Sequence, residues 1–297
     1  MKLGYLSSFA VLATVVSCGA SADENFLGHV KGAEVLPKGA SDLYMKVNWR
    51  SDKGQGNYDA VDIFAEYEYG VSDRFQFGVG VKGRSVDTEG LLIDGYLPKE
   101  GNFGPKLAGL EVTGKYMFLS PALDDFGLAS YVTLDYDWMD PHSGQDKNTL
   151  SLELELIGQK YFLEGQLIWM GNLSVEGTYS DRGALEGLPA DFEWPTDPEM
   201  ELEITAGTGV SYRFAPNWFI GAEIEYQTEF ETEVGQERYS WFAGPSLHYG
   251  GQSMWATLTW LPQISGGGEM YEGQLDTGLH LIEKTKNEVI FKIGFNF

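Results

Sequence analysis

Carboxylates one residue apart recur along the chain: Glu66 and Glu68, Asp135 and Asp137, Glu153 and Glu155, Glu201 and Glu203, Glu223 and Glu225. In an extended strand that spacing puts both members of a pair on one face. Asp62, Glu111, Glu164 and Glu288 fall on faces of the same kind, as do the bases Lys46, Arg74, Lys82, Lys115, Arg213 and Lys292. Unpaired carboxylates along a narrow aqueous path favour cations and repel anions. Paired with the bases, the same residues instead build a filled, hydrogen-bonded interior. The spacing fits both arrangements.

Other chemistry has less support. His29, His142, His248 and His280 are scattered, with no HExxH and no His/Cys cluster, so neither a metal site nor a cofactor is expected. His142 and Ser143 are neighbours in Asp140-Pro-His-Ser-Gly144. A lipid-modifying enzyme would need Ser, His and an orienting polar group in contact at a lipid-facing rim, and adjacency in a loop does not supply that. Asp140, Asp146, Asp181, Asp191 and Asp197 lack the DxDxDG spacing of a calcium loop. Gly266-Gly-Gly268 has no Walker lysine. With 44 Asp and Glu against 20 Lys and Arg, the chain carries a formal charge of −24, which excludes nucleic acid as a partner.

The elements that carry these charges alternate at period two. Leu150, Leu152, Leu154 and Leu156 oppose Ser151, Glu153 and Glu155; Ile220, Ala222, Ile224 and Tyr226 oppose Glu223 and Glu225. The final strand sets Val289, Phe291, Ile293, Phe295 and Phe297 against Glu288, Lys292 and Asn296, with Ile290 the apolar exception. Twelve such segments can be traced from residue 42 to 297. Nothing after the leader reaches the roughly 18 consecutive apolar residues of a spanning helix, so a membrane location requires a closed barrel. Short turns near Gly70–Asp73, Ser120–Gly127, Gly158–Lys160, Ala215–Asn217 and Gly250–Ser253 alternate with longer loops at 51–56, 85–108, 139–147, 171–200, 229–237 and 265–286. That sorting predicts an all-β, antiparallel, up-and-down transmembrane barrel with periplasmic termini and long extracellular loops. Outward Tyr69, Phe118, Tyr212 and Phe214 are placed at the short-turn rim, and Tyr136, Trp138, Trp169, Tyr226, Trp241 and Trp260 at the other. An even strand count assigns 274–286 to the last outer loop, as a short helix, a plug or an irregular segment.

Residues 1–22 read as a secretory signal peptide: Lys2, an apolar run from Leu3 to Val16, and Ala20-Ser-Ala22 as the cleavage site. Val15-Val-Ser-Cys18 also resembles a lipobox, which leaves Cys18 either removed or lipidated. Residues 23–41 are expected to form a periplasmic lead-in, with a small plug as the alternative, and 42–297 the barrel.

A terminal Phe on an alternating strand resembles the closing strand of Gram-negative outer-membrane barrels. That resemblance implies outer-membrane lipid and the barrel-assembly machinery as partners, with Phe297 as the assembly signal. Leu36-Pro-Lys-Gly39 before a strand, and Ala65-Glu-Tyr-Glu-Tyr-Gly-Val-Ser-Asp-Arg-Phe-Gln-Phe-Gly-Val-Gly80, resemble the meta-pathway phenol-degradation transporter family and related barrels of unassigned function. The resemblance covers the first three strands and the last. It implies passage of small, often aromatic, compounds across the outer membrane and transfers no site residue. The expected function is therefore passive transport of small solutes, cationic or neutral, through an acidic lumen. Glu66, Glu68, Glu111, Asp135, Glu153, Glu155, Glu164, Glu203, Glu223, Glu225, Lys46, Lys82, Lys115 and Arg213 are the candidate lining. A filled structural or surface-binding barrel is the alternative, and an outer-membrane lipid enzyme the third.

Overall fold

Leu152, Leu154 and Leu156 expose about half of their surface (49, 51 and 49%), whereas Glu155 and Glu223 expose 7% and 3%. The sheet is inside out relative to a water-soluble one, with apolar side chains facing lipid and polar ones facing inward. These positions come from a computed structural model, which describes residues 25–91, 100–184, 197–231, 235–268, 270 and 277–297. The signal peptide, Cys18, Asp191 and residues 274–276 lie outside the described residues.

Twelve strands form one closed antiparallel barrel: β1 Ser41–Ser51, β2 Asn57–Ser72, β3 Phe75–Glu89, β4 Glu100–Leu119, β5 Gly127–Asp137, β6 Lys147–Phe162, β7 Leu167–Arg182, β8 Glu199–Ala215, β9 Trp218–Glu231, β10 Gly235–Gly250, β11 Met254–Gly268 and β12 Asn287–Asn296. Each pairs with its sequence neighbours, and β1 closes on β12 from Asp42↔Asn296 to Ser51↔Asn287. The closure leaves no unpaired strand edge facing lipid.

The strands run from 10 to 20 residues, nine of the twelve longer than the roughly 9–11 that a bilayer needs, and the excess lies on the long-loop side. The expected loops at 171–200 and 229–237 therefore shrink. β7 continues to Arg182, and β9 and β10 leave only 232–234 between them. The turn expected at Gly158–Lys160 falls instead at Leu163–Gln166, where Leu163, Glu164 and Gly165 adopt left-handed φ values of 51°, 56° and 80°. Gly158 stays in the strand, because the Phe126 ring packs where its side chain would be: a Cβ there would meet Phe126 Cζ at 2.7 Å. This shift puts Trp169 three residues from the turn, in the periplasmic girdle with Phe126, and corrects its assignment to the outer rim. Ile290, the inward apolar residue, packs with Phe242 and Leu261 in a small cluster inside the wall.

Candidate functional site in the lumen

The segment expected as a periplasmic lead-in lies inside the barrel, in the arrangement of the plug alternative. From Asn25 to Leu36 it follows the inner wall, meeting the strands in nearly descending order. Thr257 of β11 donates to the Asn25 carbonyl. Glu223 of β9 accepts three backbone N–H bonds, from Gly28 at 2.5 Å and from His29 and Val30 at 2.9 Å. Asn172 of β7 accepts from Lys31 N at 2.6 Å and returns a bond to its carbonyl at 3.1 Å. Lys115 of β4 donates to Gly32 O at 2.6 Å, while Gln159 of β6 and Gln76 of β3 each accept at 2.6 Å, from Ala33 N and Leu36 N. The segment is thus a collar held by lumen side chains. Its Leu27 and Val30 are fully buried, in a groove left by glycines of β8 and β9. A Cβ on Gly207 would come within 2.9 Å of Val30 Cγ2.

The extracellular mouth is covered by two inturned loops. Residues 138–146 are tied to the wall by Arg84, which donates to the Met139 carbonyl, by Arg50 to Pro141 O at 2.5 Å, and by Tyr58 to His142 O at 2.8 Å. Both arginines share Asp62, each at 2.6 Å, and Arg84 also reaches Asp137 at 3.4 Å. Residues 277–286 are irregular rather than helical, and they fold into the mouth. Gln263 brackets His280 with bonds of 2.6 and 2.9 Å, Lys53 donates to the carbonyls of Leu281, Ile282 and Lys284, and Arg238 pairs with Glu283.

Among the candidate lining residues, Glu66 is fully buried on Thr113 at 2.6 Å, Glu68 on Gln76 at 3.0 Å, and Glu225 on Gln227 at 2.6 Å. Asp135 and Glu111 gather on Lys82, Glu155 pairs with Lys31 at 2.7 Å, and Glu203 lies 3.6 Å from Lys284. Two candidates leave the lumen. Glu164 sits exposed in the β6–β7 turn, and Arg213, though of inward parity, lies exposed at the periplasmic end of β8. Two were missed. Glu176 and Glu229 complete a row with Glu153 and Glu203, in direct register on β6, β7, β8 and β9: Glu153↔Glu176, Glu176↔Glu203, Glu203↔Glu229. Period-two alternation carried through residues 171–182 and 227–231 would have found both.

The row faces β12 to β3, where Lys292, Lys46, Lys82 and Arg84 lie among Glu288, Asp62, Glu66 and Glu68, so the lumen has an acidic side and a side of mixed charge. Between the collar and the mouth are hollows of about 230 and 300 Å³, with a third of about 170 Å³ beneath the loops. A further hollow, of about 820 Å³, is on the outer wall among Leu150, Leu152, Leu154 and Leu202, on the face turned to lipid and not to the lumen. No group of His, Cys, Asp and Glu able to hold a metal occurs among the described residues.

His142 and Ser143 face the mouth, not lipid. Ser143 N and His142 N both donate to Asp140 Oδ1, at 2.8 and 2.7 Å, in a turn that orients the loop. Burial, then the nearby Lys53, Arg50, Lys284 and Arg238, hold His142 well below its ordinary value. Burial and the same kind of neighbours push His280 down to about 3. Burial would raise Asp140, but Lys147, Arg182 and the two N–H bonds outweigh it and hold it low. In all three the released loop binds protons more readily than the docked one, so docking stability rises with pH. The histidine contributions are fully present above about pH 6.5 and are lost as pH falls toward the folded values. Hydrogen exchange of 139–146 and 277–286 should therefore be faster, after correction for intrinsic rates, at pH 4.5 than at pH 7.5. Equal protection at both would refute this account of the cap.

A family model described as a family of unknown function (DUF6662) matches residues 19–297. No curated protein matches the sequence. Among solved structures, the fold is similar to the COG4313 outer membrane channel from Pseudomonas putida F1, at 12% identity and TM-score 0.61, covering 89% of this chain and 98% of that one. It is also similar to the translocator domain of the autotransporter NalP from Neisseria meningitidis, at 11% identity and TM-score 0.50, covering 89% and 90%. At these identities the likeness is one of fold, that of outer-membrane barrels.

Proposed function

Because the chain belongs to DUF6662, a family of unknown function, we propose its activity from the lumen itself: a narrow outer-membrane channel that passes small cations and neutral solutes in preference to anions. The observation that carries this reading is the register of Glu153, Glu176, Glu203 and Glu229. Four carboxylates side by side on neighbouring strands repel one another, an arrangement a purely structural core has no reason to keep. Arg238 neutralises Glu229 and Lys284 lies near Glu203, but Glu153 has no hydrogen-bond or ion-pair partner among the described residues. The field along that wall draws cations. Inward Phe64 and Tyr131 add apolar surface suited to neutral solutes, aromatic ones included.

In planar bilayers, a potassium chloride gradient should give a reversal potential of cation-selective sign, and Glu153→Gln with Glu176→Gln should move it toward zero. An anion-selective sign, or no shift in the double variant, would refute the reading. The collar and inturned loops favour a second reading, a filled barrel whose outer loops bind a partner. It predicts silence at every voltage even after the collar is released.

Phe297, 74% exposed beyond β12, suits recognition by the barrel-assembly machinery. Its deletion should lower the amount of barrel in the outer membrane while leaving the conductance of refolded protein unchanged. Normal insertion without it would remove that role.

A further inference from the structure

Two hollows above the collar, of about 300 and 230 Å³, share five lining residues: Lys31, Tyr44, Lys46, Tyr131 and Glu153. Every other charged residue around them is engaged. Lys31 pairs with Glu155, Lys82 with Asp135 and Glu111, and Asp62 with Arg50 and Arg84. Glu68 accepts from Gln76, Glu225 from Gln227, Glu203 from Thr205, and Lys292 donates to Asn25. His29 and Lys31, contributed by the collar, contact Glu288 and Glu155. Lys46 and Glu153 differ. Each faces the chamber, each has no hydrogen-bond or ion-pair partner among the described residues, and they do not pair with each other. They come from β1 and β6, on opposite sides of the barrel.

A charge left unpaired in a partly desolvated site is costly, and a protein that could close the pair would gain by doing so. Holding an ammonium and a carboxylate apart across a chamber suits a guest that carries the opposite charges at its two ends. A simple anion on Lys46 leaves Glu153 unsatisfied, and a simple cation passing Glu153 leaves Lys46 unsatisfied. A dipolar molecule with no net charge satisfies both walls at once. The volume is at the lower end of the range for small-molecule sites, which suits a guest smaller than a drug.

We propose that this chamber is a binding site for small zwitterions of the free amino-acid class, with the guest carboxylate on Lys46 and its ammonium on Glu153. The inference rests on the channel reading and names its solute. Isothermal titration of the full barrel in detergent tests it with glutamine, with N-acetylglutamine (carboxylate only) and with glutaminamide (ammonium only). Glutamine should bind about tenfold tighter than either, the worth of one hydrogen bond to a charged group. Lys46→Met should turn the preference toward glutaminamide, and Glu153→Gln toward N-acetylglutamine. Lys46→Arg and Glu153→Asp should keep the wild-type order, and heat-modifiable gel mobility checks that each barrel is folded.

Equal affinity for the three probes, no saturable heat with any, or an unchanged order in both charge-removing variants would overturn the proposal. Conductance is read separately on the same preparations. A conducting barrel that ignores zwitterions would refute the site and leave the channel standing. Binding with no conductance would refute the channel and leave the site.

Discussion

Glu223→Gln is expected to loosen the collar and raise single-channel conductance. Glu223 accepts three backbone N–H bonds from Gly28, His29 and Val30, and it is 3% exposed. A glutamine keeps one acceptor oxygen and turns an NH2 group toward donors, so at least one buried N–H is left without a partner. Hydrogen bonds to a charged group are worth about 1.5–3 kcal/mol each, so losing one or two shifts the released population by roughly ten- to a hundredfold or more. Gly207→Val attacks the same contact from the opposite direction. Its new side chain would occupy the space of Val30, while the next atom met by a Cβ is Glu225 Oε2, at 3.6 Å, so the collar should yield before the strand does. Planar-bilayer recording of both variants is decisive, because one removes an acceptor and the other adds bulk. If neither departs from wild-type conductance, the collar does not limit the path.

The second large effect is expected at Arg84. Its guanidinium bridges Asp62 of β2, Asp137 of β5 and the Met139 carbonyl of the inturned loop. Arg84→Met keeps the length and apolar stem but leaves Asp137 with Lys82 alone, at 3.6 Å, Asp62 with Arg50 alone, and a buried carbonyl without this donor. Removing one partner from a buried ion pair costs about 3–5 kcal/mol. Urea unfolding followed by tryptophan fluorescence should show a lower midpoint, and protease should cut within 139–146 where the wild type resists. A midpoint within error of wild type would show that the network contributes little beyond its own desolvation cost. Adding Asp137→Asn to Arg84→Met should recover part of the loss, since it removes a carboxylate left with only a 3.6 Å contact while Lys82 keeps Asp135 and Glu111.

Much of the barrel was legible in the sequence because lipid imposes one rule on every strand. Leu150 to Leu156 can alternate with Ser151 to Glu155 only if one face meets hydrocarbon, and four of the five tight turns overlap the segments expected for them. The exception is instructive. Gly158-Gln-Lys160 has turn composition, but its glycine serves the packing of Phe126, and the real turn uses Leu163 and Glu164 at positive φ. Local composition cannot separate those two uses of glycine. The strand ends beyond the bilayer were hidden for a related reason: outside lipid the outward face of Ser174–Arg182 need not be apolar, so the alternation fades while the hydrogen bonds continue to Lys147↔Arg182.

The site was legible in its inventory and not in its partners. Alternation put Glu66, Glu153 and Glu223 inside without showing which carboxylate would be neutralised by a base, which would be bonded by a hydroxyl, and which would be left open. Those assignments depend on register across four or five strands. They also depend on Asn25–Leu36, whose own sequence carries no periodicity that announces a lumenal position. Glycines 207, 209 and 221 on β8 and β9 were the available hint, since inward glycines in a barrel wall mark a place where something else comes close.

The collar is continuous with β1 through the turn at Pro37–Gly39, where Gly39 N donates to Gly70 O. It is therefore a ligand that cannot diffuse away. A short tether holds a released segment at an effective concentration of roughly millimolar, so rebinding is first order and insensitive to how much protein the membrane holds. A free peptide of the same sequence, added in trans, would have to reach about that concentration before it could compete for the wall, whereas a modest weakening of the contacts themselves acts on every molecule at once.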